Sequence, residues 1–125
     1  MTNFEWGTLY PTQTQCPPLE AQEMEIGVAY RFIKTEPLVE TDFYPNNKTN
    51  RRINYSDCKM WAVSLFSSFD GLNALKEIIP AFKGRKIAAG SIKSIYGRAI
   101  IAKDGHINLW RYKQIVMHEN FWIVK

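Results

Sequence analysis

The dipeptide Asp104-Gly105 constrains this chain more than any other pair of residues in it. It stands between Ala99-Ile100-Ile101-Ala102 and Ile107-Asn108-Leu109-Trp110, two apolar-rich segments, and both of its residues tolerate positive φ. The pattern predicts a two-residue hairpin loop with Ala102 opposite Ile107 and Ile100 opposite Leu109. That hairpin commits the second half of the chain to antiparallel β-structure.

Other segments extend the same theme. Ile26 to Ile33 alternates apolar residues at the period of a half-buried strand. Met60 to Phe66 has too little polarity for a solvent-facing strand and is predicted to lie centrally in a sheet. Lys86 to Ile92, Arg98 to Lys103, His106 to Tyr112 and Ile115 to Val124, broken around His118-Glu119-Asn120, are further strands. One helix stands out. Ser67, with Asp70 three residues on, has the form of an N-cap, and Phe69, Leu72, Leu75, Ile78 and Ile79 recur at helical spacing before Pro80 ends the run. The expectation is an α+β fold, a mostly antiparallel sheet with one principal helix over about residues 68–79 packed on one face. Thr35 to Ser56, rich in Pro and Asn, is predicted as loop with a short helix around Leu38 to Phe43.

A chain of 125 residues is one domain, 1–125. Residues 1–21, with Pro11, Pro17 and Pro18, form an extended N-terminal arm. Phe4, Trp6, Leu9 and Tyr10 are too apolar to leave in water, so the arm is expected to lie on the domain or on a partner. No apolar run is long enough for a membrane helix and no export signal opens the chain, which implies a cytoplasmic protein without membrane partners. Cys16 and Cys58 are then expected to be free thiols.

Charge is asymmetric: residues 1–45 carry 2 basic and 7 acidic side chains, residues 46–125 carry 14 and 5. Two oppositely charged regions attract each other within a fold or face different partners. Nucleic-acid binding is one alternative, because Lys83, Arg85, Lys86, Lys93, Arg98, Lys103, Arg111 and Lys113 run through the β-rich half with Trp110 and Tyr112 among them.

Recognised catalytic patterns are scarce. His106, His118, Cys16 and Cys58 lack the short spacings of a zinc site, so no metal is expected. Cys58 with His106 or His118 would make a cysteine nucleophile only if the fold brought them together. The glycines form neither a P-loop nor a dinucleotide fingerprint. Asn47 and Asn54 match the glycosylation pattern but carry no weight without export.

Three short stretches carry a resemblance: Val28-Ala29-Tyr30-Arg31, then Val63-Ser64-Leu65-Phe66-Ser67-Ser68 before a helix, then Gln114-Ile115-Val116-Met117 followed by Phe121-Trp122-Ile123-Val124. Their order resembles that of small ADP-ribosyltransferases. The resemblance implies NAD as the bound molecule, with Arg31 and Ser64 or Ser67 holding it. The family's glutamate position falls closest to Gln114, which has no charge for a ribosyl cation, so either Glu119 substitutes from a shifted position or the domain is a non-catalytic relative.

The residues favour a different first expectation, a small non-enzymatic domain of bacterial or phage origin that binds another protein as inhibitor, immunity factor or accessory subunit and needs no cofactor. The contact residues expected for it are Arg51, Arg52, Trp110, Arg111 and Tyr112, because Trp, Tyr and Arg are the usual interface anchors.

Overall fold

A computed structural model describes residues 3–34, 36–49 and 53–124. Six strands build one antiparallel sheet: β1 (Ile26–Ile33), β2 (Val63–Phe66), β3 (Lys86–Ile92), β4 (Gly97–Ile101), β5 (His106–Arg111) and β6 (Phe121–Val124), in the spatial order β4-β5-β2-β1-β3-β6. Two α-helices are described, the four-residue α1 (Asn46–Thr49) and the longer α2 (Phe69–Ile78), with short 3-10 turns between elements. The architecture is α+β with an antiparallel sheet.

β1 spans the expected Ile26–Ile33 but breaks its alternation at a register shift between Ile26 and Ala29, where Val28 is exposed and Ala29 buried, and β3 also keeps its expected ends. β2 is shorter than its apolar run. Cys58–Trp61 coil into a 3-10 turn, held by the Asp57 side chain, which accepts from the Lys59 amide. Only Val63–Phe66 remain extended, and they lie between β5 and β1. The C-terminal segment is also shorter, because Ile115 to Met117 is not strand and a 3-10 turn at His118–Asn120 leads into β6.

α2 starts one residue later than its sequence signal. Ser68, not Ser67, caps it by accepting from the Gly71 amide, while the Ser67 amide is bonded to the Gly105 carbonyl. Leu72 is fully buried, and the Phe69 ring meets Tyr30 of β1 edge-on at 5.8 Å, so the helix lies against the middle of the sheet.

The Asp104-Gly105 hairpin forms with a different register. Ala99 stands opposite Leu109, Ile100 opposite Asn108 and Ile101 opposite Ile107, one residue away from the expected pairing. The cause is the turn. The Gly105 amide donates to Ala102 and the Ala102 amide to His106, which leaves three loop residues, Lys103 to Gly105. Only Gly105 is at positive φ, at 90°, as in a type I turn closed by a glycine bulge. Since a one-residue slip exchanges faces, this register sends Ala99 and Leu109 inward together.

Two cores result. The larger lies on one sheet face, with Ala29, Ile33, Val63, Leu65, Ile107 and Leu109 among its members and Phe43 and Met117 covering them. The smaller contains Tyr10, Ala21, Trp61, Ala62 and Trp110, with Phe4, Trp6 and Ile100 against them. The arm thus lies on the domain. It bridges the sheet through Phe4 to Tyr112 and through Gln22 to Ala99.

Cys16 and Cys58 are not free: they form a disulfide, their Cα atoms 5.6 Å apart. The arm's return across Trp61 and Trp110 sets the pair at bonding distance, which no spacing in the sequence announces. As a bonded sulfur, Cys58 is not a nucleophile.

Candidate functional cleft

The seam between β1 and β2 is nearly open. The two strands share one register pair, Tyr30↔Phe66, whereas β1 and β3 share six and β2 and β5 four. A side chain bridges the gap: the Arg31 guanidinium on β1 donates through Nη1 to the Ser64 carbonyl on β2. It also donates through Nε to the Asp42 carbonyl at 2.7 Å and through Nη2 to the Tyr44 carbonyl at 3.2 Å. Three of its five N–H groups are thereby used. Burial lowers its pKa to about 10, with Asp42 opposing that shift, so it stays cationic at neutral pH.

A cleft of about 600 Å³ occupies this seam, within the usual size of small-molecule sites. β1 contributes Arg31, Phe32 and Ile33, β2 contributes Ser64 and Phe66, and Lys34, Asp42, Phe82 and Arg85 close the sides. Three cations thus line it. Among the described residues Asp42 is its one acid. Phe32 and Phe82 stack at 4.5 Å beside these charges.

Ser64 has a second partner. Its Oγ lies 2.6 Å from Nε2 of His106, the first residue of β5, and the His106 ring stacks on Phe66 at 5.0 Å. The His106 amide donates to Asp104 Oδ1 at 3.0 Å, which fixes the start of the strand. Burial lowers the imidazole pKa, Asp104 raises it and Lys59 lowers it further.

Of the residues suggested by the family resemblance, the structure brings Arg31 and Ser64 together and leaves Glu119 apart. Glu119 lines a different groove of about 640 Å³, with Lys93, Ile95, Tyr96, Gln114 and Val116. Ser67 is tied into the hairpin turn through its amide. His106 was missed in that role. Its place depends on the pairing of β2 with β5, which sets His106 opposite Phe66 and which no local pattern in the sequence announces.

The described members of the expected protein-contact set do not form one exposed surface. Trp110 is 1% exposed and Arg111 2%, so both belong to the interior. The Trp110 indole donates to the Cys58 carbonyl, and Arg111 donates to the carbonyls of Phe43 and Ile115 and pairs with Glu40 at 2.6 Å. The partly exposed carboxylate of Glu40 and the rings of Trp6 and Tyr44 accommodate much of so polar a side chain, although its Nε is buried without a hydrogen-bond partner. Tyr112 is half-buried, its hydroxyl donating to Glu23. Arg51 and Arg52 lie outside the described residues. The basic and aromatic side chains of β5 therefore make no exposed stacking platform for nucleic acid at Trp110 and Arg111.

Among the described residues no cluster of three or more His, Cys, Asp or Glu could hold a metal ion, and no helix is long and apolar enough to cross a membrane. Asn47 is buried and bonds both the amide and the carbonyl of Asn54, so its side chain shapes the loop. No protein-family model, curated protein or solved structure matches the chain.

Proposed function

We propose that the cleft between β1 and β2 binds NAD or a closely related dinucleotide, as the resemblance to ADP-ribosyltransferases implies. One observation carries this reading: Arg31 of β1 and Ser64 of β2, 33 residues apart, meet across the open seam of the sheet at the mouth of a cleft. Its cations suit a pyrophosphate. Arg31, Lys34 and Arg85 supply charge-assisted donors, and Phe32 and Phe82 offer apolar surface for a ring. The family's glutamate position falls at Gln114, in the other groove, and among the described residues the one acid lining this cleft is Asp42, so binding is better supported than rapid transfer.

Calorimetric titration of NAD into the full chain tests it. Saturable binding, weakened at least tenfold by Lys34→Ala with Arg85→Ala, is the expected result; no heat of binding up to millimolar NAD overturns the reading.

A second reading, protein interaction without catalysis, keeps one specific support. Ile95 is 69% exposed and Val116 48%, side by side in the second groove. Capture of a single protein that Ile95→Asp and Val116→Asp abolish would favour it. The disulfide speaks for residence in an oxidising compartment over a reducing cytoplasm.

A further inference from the structure

We propose that His106, acting through the Ser64 hydroxyl, is the proton acceptor of the cleft and fits it for attack by water on the ribosyl carbon of the bound dinucleotide. This inference rests on the dinucleotide reading above and adds to it a positioning residue that the family resemblance does not supply.

Geometry carries the argument. Ser64 lines the cleft, and its Oγ is 2.6 Å from Nε2 of His106, a hydrogen bond short enough for proton transfer. His106 is absent from the lining itself and reaches the cleft through its two neighbours on β2, bonding Ser64 and stacking on Phe66. The register pair Phe66↔His106 and the bond from the His106 amide to Asp104 hold the ring in place.

The imidazole is suited to accept. Burial depresses its pKa below the ordinary 6.5, so it is neutral at physiological pH. The charged groups that act on it are Asp104 on the hairpin turn, which opposes this, and Lys59 before β2, which adds to it. β2 presents only Ser64 and Phe66, which carry no charge.

The step balances with water as co-reactant. The bond between the ribosyl C1′ and the nicotinamide nitrogen breaks, and its electron pair goes to nicotinamide, which leaves neutral. Water oxygen bonds to C1′ and gives a proton to Ser64 Oγ as the Ser64 hydroxyl proton passes to His106 Nε2. Imidazolium then returns that proton to solvent, leaving ADP-ribose. A neutral base provides no charge to stabilise the ribosyl cation, so turnover is slow.

The test follows nicotinamide release from NAD by the full chain between about pH 5 and pH 9, alongside NAD titration of the same samples. His106→Gln is expected to lower kcat about 100-fold with KM within about twofold, and Ser64→Ala to lower kcat to a similar extent. The wild-type rate falls as pH drops through the depressed imidazole pKa, and both variants lose that limb. Release unchanged in both variants, a pH profile they leave intact, or NAD bound without any release overturns this inference while leaving the binding reading standing. Absence of NAD binding by the wild type overturns the binding reading, and the inference with it. Circular dichroism checks folding, and Ser64→Ala, which removes one hydroxyl, decides the matter if His106→Gln fails to fold.

Discussion

Glu40 receives donors from two directions and shows how single side chains knit this molecule together. Oε1 accepts from the Met117 and His118 amides at 2.9 Å each and faces His118 Nδ1 at 2.8 Å, while Oε2 meets Arg111 at 2.6 Å. Burial by itself would raise this carboxyl, but the His118 amide and side chain, Arg111 and the Met117 amide together hold it below the ordinary carboxylate value. With a folded pKa below the unfolded one, the stabilisation is complete above the ordinary value of 4.5 and is lost as pH falls through the folded value. Urea unfolding followed against pH is therefore expected to show stability dropping on the acid side, and Glu40→Gln to flatten that drop and cost about 2 kcal/mol at neutral pH. Arg111→Met leaves Glu40 without its cation and is expected to cost about 3 kcal/mol or more in the same assay. Gly97 belongs to this scale too. At φ 156° a Cβ there would stand 2.0 Å from the Trp110 carbonyl oxygen, so Gly97→Ala is expected to abolish stable folding, read as loss of a cooperative unfolding transition.

The arm and the segment ahead of β2 are joined as elements by the disulfide, which closes a separation of 42 residues. In the chain-entropy account such a loop is worth about 4 kcal/mol, so Cys16→Ser, or reduction of the wild type, is expected to lower the urea midpoint. The fluorescence of Trp61 and Trp110, both packed under the arm, should report the same transition. An unchanged midpoint would mean that the arm holds without its bond. α2 depends on a single cap, and Ser68→Ala is expected to cost about 1 kcal/mol through the lost bond to Gly71. Elements such as β1, β3 and α2 were legible because their periodicity is local: the alternation from Ile26 to Ile33 needs no distant partner to be seen. Register was not. Asp104-Gly105 announces a turn, but only the bond from Gly105 to Ala102 makes it a three-residue loop and moves Ile100 from Leu109 to Asn108. For the same reason Trp110 and Arg111 looked like surface anchors: an aromatic and a cation on a strand resemble an exposed face until the arm and Glu40 are folded over them. The candidate site was half legible. Arg31 and Ser64 were named only through the family resemblance, and His106 depended on a strand pairing that connects positions 42 residues apart.

At the scale of the whole molecule, one sheet carries an apolar core on one face and a cleft where its two central strands almost fail to pair. A seam with a single register pair gives up backbone hydrogen bonds, and Arg31 makes up part of that loss by donating to the Ser64 carbonyl of β2, while it also holds the carbonyls of Asp42 and Tyr44. The cleft's charges do not follow the asymmetry read along the chain, because Arg31 and Lys34 are the two cations of the acidic first segment and only Arg85 comes from the basic remainder. Crystals of the chain soaked with NAD test the central claim most directly. The account predicts the dinucleotide in the seam between β1 and β2, its pyrophosphate within hydrogen-bonding reach of Arg31, Lys34 or Arg85 and its ribose beside Ser64. A dinucleotide found elsewhere, as in the groove at Ile95 and Val116, or a seam left empty under saturating NAD, would contradict it.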